Sequence, residues 1–140
     1  MIRIFNFMPE RDLEWIRTLD NINYVSDMQG LTVIDTEAGR YAGAFLLYDF
    51  KKNSCYCHVI VGNKMMFRRD KLEAAFHYAF NVCGIKILLG HNTSDNYRHL
   101  RFLERLGFSE HSRVLGGASD GVDDIVMILR KENCRYLKGK

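Results

Sequence analysis

No stretch of this 140-residue chain approaches the roughly 18 consecutive apolar residues that a membrane-crossing helix needs. Met1 to Glu10 also lacks a basic segment followed by an apolar one, so a cytoplasmic location is the expectation. Cysteines are few, and Cys55, Cys57, Cys83 and Cys134 form no C-x-x-C pair, which removes the usual basis for a zinc site. Cys55 and Cys57 share one face of a strand and read as reduced, buried or half-buried thiols. Internal repeats and low-complexity segments are absent. A strong excess of either charge is absent too: the net charge is +3 and the sequence pI about 8.7. That balance suits a phosphate-bearing ligand without calling for nucleic acid. A nucleic-acid module built on Arg98, Arg101 and Arg105 is the weakest reading, because no pattern of stacking aromatics accompanies the charge.

What is present describes an ordinary globular domain. Apolar residues make up 47% of the chain and charged residues 26%, and the length can bury a core without disulfides or metal. One domain is expected over residues 1–134, with a basic tail over 135–140.

Met1 to Phe7 reads as a strand, and Pro9 opens a short amphipathic helix that runs to about Asp20 with Leu13, Ile16 and Leu19 on one face. Asn21 to Gly30 is a loop with room for a single helical turn, of the sort that borders a substrate groove. Leu31 to Asp35, Tyr41 to Phe50 and Ser54 to Val61 are strands joined by the turns Glu37-Ala38-Gly39-Arg40 and Lys51-Lys52-Asn53, an antiparallel meander. From Arg69 to Gly84 the set Leu72, Ala75, Phe76, Ala79, Phe80 and Cys83 has unbroken helical spacing. Ile85 to Leu89 is a short apolar strand, so strand, helix and strand form a right-handed parallel βαβ unit. Asn92 to Asn96 is a polar loop and Asn96 to Leu106 a helix stopped by Gly107. Two further strands, around Ser112 to Leu115 and Asp124 to Leu129, flank Gly116 to Gly121. The class is mixed α+β: a mostly antiparallel sheet, one central parallel βαβ unit and a C-terminal hairpin.

The run Asn96-Tyr97-Arg98-His99-Leu100-Arg101-Phe102-Leu103-Glu104-Arg105-Leu106-Gly107-Phe108 resembles the N-x-x-A-x-x-L-Y-E-K-L-G-F helix and turn of the GNAT superfamily of acyl-CoA N-acyltransferases, whose element order is also the one just read. The resemblance implies a GNAT-like fold, acetyl-CoA as co-substrate, and Asn96 on the cofactor. Gly107 would supply a left-handed cap and Phe108 return to the core. An amphipathic helix with a glycine cap accounts for the same apolar residues without a cofactor.

The family's pyrophosphate loop, R/Q-x-x-G-x-G/A at a helix N-terminus, corresponds to the stretch after Val61. Here Met66 and Phe67 stand where the family has Arg-Gly, and Arg69 and Lys71 at the next two glycines. Arg68, Arg69 and Lys71 either offer cations to phosphates in place of glycine amides or form no more than an exposed first helical turn. The tyrosine that often protonates the departing thiolate, seven residues after the Asn, is replaced by Leu103.

Acetyl transfer to an amine needs carbonyl polarisation and a base. By the resemblance, backbone amides of Val59, Ile60 and Val61, near a bulge in the fourth strand, would supply the first. His58, on that strand, is the candidate base, since imidazole titrates near neutral pH; a hydrogen-bonded strand residue is the plain alternative. Acetyltransferase-like sequences encoded by bacteriophages are similar in carrying a His at this place. His91 and Asn92 are expected after the fifth strand, where the sheet splays, with Asn92 beside the cofactor. His77, His99 and His111 read as helix-surface or loop residues, and Asp123 and Asp124 as solvated turn carboxylates or contacts for a cationic acceptor. The resulting expectation is an N-acetyltransferase acting by direct attack of a primary amine, on a small molecule or a protein. The alternative is a non-catalytic GNAT-like module that binds a protein partner, and a homodimer is left open.

Overall fold

The computed structural model describes residues 1–137. Seven strands form one sheet in the order β1-β2-β3-β4-β5-β7-β6. These are β1 (Ile2–Asn6), β2 (Gln29–Asp35), β3 (Arg40–Tyr48), β4 (Ser54–Val61), β5 (Ile87–Thr93), β6 (Ser109–Ser119) and β7 (Val122–Arg130). Only β4 and β5 pair in parallel; the other neighbours are antiparallel. Alternation along β3 sends Phe45 and Leu47 to one face, under α2 (Arg69–His77) and α3 (Tyr97–Leu106), and Ala44 and Leu46 to the other, under α1 (Pro9–Leu19). The expected mixed α+β architecture is therefore the one observed.

Four local expectations change. The helix foreseen over Arg69 to Gly84 is α-helical only to His77; Tyr78–Val82 forms a π turn, in which the Cys83 N–H donates to the Tyr78 carbonyl at 2.8 Å. Apolar spacing does not register one extra residue in a turn. The fifth strand extends to Thr93, because β7 pairs with it as far as Thr93↔Asp124, so His91 and Asn92 lie inside the strand rather than after it. The sixth strand covers Ser109–Ser119 and runs through Gly116 and Gly117, in the stretch expected to connect the last two strands. Every residue of it is exposed, so it has no apolar alternation to betray it. Of the expected tail, Tyr136 stacks on Phe76 with ring centroids 5.5 Å apart and Leu137 is buried, while residues 138–140 lie outside the described residues. Among the described residues no helix is long and apolar enough to cross a membrane.

Gly107 has φ 110° and caps α3, and Phe108 enters the core as expected. Gly43 serves a close approach instead: a Cβ there would lie 2.7 Å from the Met66 side chain.

One polar cluster fixes α1 to the sheet. Asp12 is fully buried and accepts from the Met8 N–H at 2.8 Å, from Arg11 Nε at 2.7 Å and Nη2 at 3.0 Å, and from the Tyr41 hydroxyl at 2.7 Å. Arg11 donates onward to the Asn6 carbonyl and the Thr32 hydroxyl, and Trp15 stacks on Tyr41 with centroids 4.4 Å apart. Burial opposes the Asp12 charge, but these donors outweigh it and hold the carboxyl below its ordinary range; burial and the same carboxylate push the Tyr41 hydroxyl up to about 12.

Asp12→Asn leaves part of this donor set unmatched and should cost about 2 kcal/mol in denaturant unfolding at pH 7. The folded-state pKa of Asp12 is depressed, so its stabilisation is complete above the unfolded value of about 4 and is lost as pH falls through the folded value. The gap between wild type and variant should therefore narrow in the acid range. A gap that is absent at pH 7, or that widens in acid, contradicts this account.

Candidate active site

The parallel ladder joins only Ser54↔Ile87, Cys55↔Leu88 and Tyr56↔Leu89. Beyond it β4 follows β3 through Val61 and β5 follows β7 through Thr93, so the two central strands part. The β3–β4 register runs from Tyr48↔Tyr56 to Gly43↔Val61 without a shift. The bulge expected near Val59–Val61 is thus absent, and the unpaired edge of β4 arises from the splay. A cavity of about 240 Å³ occupies the opening. His58 and Val59 line it from β4, His91 and Asn92 from β5, Asn96 and His99 from the start of α3.

His58 lies on the α1 face of β4, and its Nε2 is 2.6 Å from Oδ2 of Asp20, the residue that ends α1. Asp20 is placed by its own N–H, which donates to the Ile16 carbonyl at 3.0 Å. With Nε2–H given to the carboxylate, the lone pair of His58 sits on Nδ1. Both residues also line a second cavity, of about 290 Å³, under the loop from Asn21 to Met28. The His58–Asp20 pair is therefore the wall between the two spaces.

His91 makes a second His–carboxylate contact, to Asp124 on β7, and its ring lies edge-on to Tyr56 at 6.3 Å. Asn92 is buried, and its Nδ2 has no hydrogen-bond partner among the described residues. An unpaired amide donor at the margin of a cavity is costly unless something from outside accepts from it. Asn96 caps α3, its Oδ1 accepting from the His99 N–H at 3.4 Å.

Asn96 and His99 also line a groove of about 990 Å³ between the end of β4 and α3. Phe67 and Phe102 meet edge to face there at 5.1 Å, and Arg98, Arg101 and Arg105 lie along it. No carboxylate lines this groove, and none of the three arginines is paired with one among the described residues. The arginines fall at i, i+3 and i+7, which puts them on one side of α3.

The residues expected at the pyrophosphate loop divide. Lys64–Phe67 is a 3₁₀ turn; Met66 is buried beneath Gly43 and its N–H is given to the Asn63 carbonyl. Phe67 faces the groove. Arg68 points toward Asp70 at 3.8 Å, and Arg69 donates to the Arg135 carbonyl and pairs with Glu73 at 3.5 Å. Leu103, where the family carries its tyrosine, is buried against Gly90. The structure brings together His58, Val59, Asn92 and Asn96 around the central cavity and sets Val61 and Phe67 on the groove; Ile60 is buried on the α1 face.

Asp20 and His99 escaped the sequence reading, the first as the polar end of a helix and the second as a helix-surface or loop residue, while Asp124 stood there as a solvated turn carboxylate or a contact for a cationic acceptor. The polar side of α3 borders an open groove, which helical spacing alone does not reveal.

No family model matches the chain, and no curated protein matches it in sequence. Solved structures do. A point mutant of the spermidine N-acetyltransferase SpeG of Vibrio cholerae is 16% identical with a TM-score of 0.76, over 98% of this chain and 96% of that one. A second point mutant of SpeG gives 16% identity and a TM-score of 0.77, over 97% and 98%. The spermidine/spermine N-acetyltransferase SpeG of the same organism, in complex with manganese ions, gives 16% and 0.73, over 92% of each chain. These proteins are GNAT superfamily members, and at such identity the likeness is one of fold.

Burial, then the proximity of His58, lowers the pKa of His99, with Asp20 opposing. In an NMR pH titration His99 should titrate below the ordinary imidazole value of about 6.5, and His58→Ala should raise its midpoint. A His99 midpoint at or above that value, or one indifferent to His58, contradicts the arrangement.

Proposed function

We propose that this chain is a GNAT-type N-acetyltransferase that moves an acetyl group from acetyl-CoA to a primary amine by direct attack. The observation that carries the reading is the position of His58. It stands, oriented by Asp20, in the wall between a cavity open to an unpaired cationic groove and a separate cavity under the Asn21–Met28 loop.

The residues fit the nucleotide thioester. The groove offers guanidinium groups for phosphates and apolar and aromatic surface from Val61, Phe67 and Phe102 for the pantetheine arm, with no carboxylate to repel them. This shifts the anion-binding role from the glycine-poor loop at Met66–Arg69 toward Arg98, Arg101 and Arg105. Asn96 and His99 belong to both groove and central cavity, so the reactive end of such a ligand has a path to His58. The buried Nδ2 of Asn92 gains the acceptor it lacks when a carbonyl oxygen enters the cavity.

Acetyl-CoA supplies the activated acyl carbon. Amides on the unpaired edge of β4, Val59 to Val61, and Asn92 Nδ2 polarise its carbonyl. His58 Nδ1 removes a proton from the amine as the C–N bond forms, and Asp20 stabilises the imidazolium. The C–S bond breaks, and the proton gathered at His58 is the one the sulfur requires. Leu103 cannot donate it. Spermidine, named for the structural neighbours, is not carried over to this chain.

Isothermal calorimetry with acetyl-CoA, against desulfo-CoA and salt controls, should give saturable binding. Arg101→Ala and Arg105→Ala should weaken it and flatten its salt dependence. His58→Ala should lower turnover by about 10²- to 10⁴-fold with affinity retained. No saturable binding at millimolar acetyl-CoA overturns the acetyltransferase reading in favour of a non-catalytic module; an unchanged rate removes His58 from the mechanism.

A further inference from the structure

We infer that the acceptor is a small monoamine on a compact, uncharged, apolar body, of the arylalkylamine kind, and not a polyamine. This rests on the reading above of His58 as the base. The cavity under the Asn21–Met28 loop reaches His58 from the side away from the groove and is the space left for an acceptor. Ile22, Val25, Met28 and Tyr48 supply its apolar surface, and Asn21 and Asn23 its neutral polar surface. Ile22 and Met28 belong to the buried cluster beneath α1, and Tyr48 packs against it.

The space has room for such an acceptor: an apolar cavity of about 150 Å³ holds a benzene ring, so about 290 Å³ holds a ring with a two-carbon amine arm. Volume alone does not reject a slender polyamine. Charge does: Asp20 is the one carboxylate in the lining, and it already receives His58 Nε2–H. With a neutral imidazole the pair carries a single negative charge, which matches one ammonium. A further ammonium held within this largely apolar space would meet no second counter-ion and would pay a steep desolvation cost. The bound ammonium first gives one proton to solvent to become the neutral amine; the attacking nitrogen then loses a second proton to His58 Nδ1 as it gains the acetyl carbon, that proton passes to the thioester sulfur, which leaves as thiol, and the product amide is uncharged, which suits the same apolar walls.

The test compares wild-type turnover of 2-phenylethylamine, spermidine and a short peptide with a free N-terminus, at fixed acetyl-CoA. The inference expects 2-phenylethylamine to exceed each of the others by at least about tenfold in kcat/KM. Val25→Asp, which adds a second carboxylate at the exposed rim, should shift the ratio toward spermidine by a similar factor while leaving the Kd for acetyl-CoA unchanged. Spermidine or the peptide matching 2-phenylethylamine overturns the inference. A second measurement separates this failure from that of the acetyltransferase reading: methyl resonances of Ile22, Val25 and Met28 are followed without acetyl-CoA. Shifts with 2-phenylethylamine and not with spermidine support the cavity's chemistry even if no turnover is found. Shifts with spermidine alone, or with neither amine, overturn it.

Discussion

The parallel ladder between β4 and β5 ends at Tyr56↔Leu89, and the functional architecture follows from that ending. A parallel pair is held by evenly spaced, slanted bonds, and each of these strands has a longer antiparallel partner on its other side. Where the two demands diverge, the antiparallel pairings continue and the parallel one stops. The result is a wedge in the middle of a sheet otherwise continuous across seven strands. It exposes backbone on β4, turns the polar end of β5 toward a cavity, and sets the first turn of α3 across the opening. No insertion or separate lobe is required to make the site.

Precision in that site is borrowed from the opposite end of α1. The carboxylate that orients His58 sits at the last residue of this helix, while the Asp12 cluster clamps its first turn to β3. The helix is short, so the rigid first turn and the stacked Trp15 and Tyr41 fix the direction in which it ends. A buried, fully bonded carboxylate thus serves a second carboxylate some two turns away, and scaffold and chemistry are coupled through one rod. The same face holds the apolar residues Ile22 and Met28, so the loop after the rod is anchored as well.

How much of this could be read beforehand depended on whether a residue's role was local. Asn96 and Gly107 each declare one end of α3 by local chemistry, and Leu100, Leu103 and Leu106 declare its inner face, so that element was legible. His58 was legible because it stands on a well-patterned strand ahead of the expected opening. Asp20 was not: its partner is 38 residues away, and before folding it is one polar residue at the end of a helix. The arginines of α3 were seen as a charged stripe, but the groove giving them a purpose exists only once Phe67 and Val61 arrive from β4 and the turn after it. Met66 misled in the opposite way, since a loop position was in fact a core position whose space Gly43 provides.

The edge strand β6 shows a different economy. Its eleven residues keep their side chains in water, so its hold on the molecule is the backbone ladder to β7, helped by Arg113 reaching Glu110 and Asp123. Outside Gly116, whose φ is 68°, and Gly117, where a Cβ would lie 2.8 Å from the Val114 side chain, little in such a strand depends on which residues compose it, provided they can be extended and soluble. Part of the sheet can therefore drift freely in sequence while its shape is kept, which is one way a chain comes to share an architecture with proteins it scarcely resembles letter by letter.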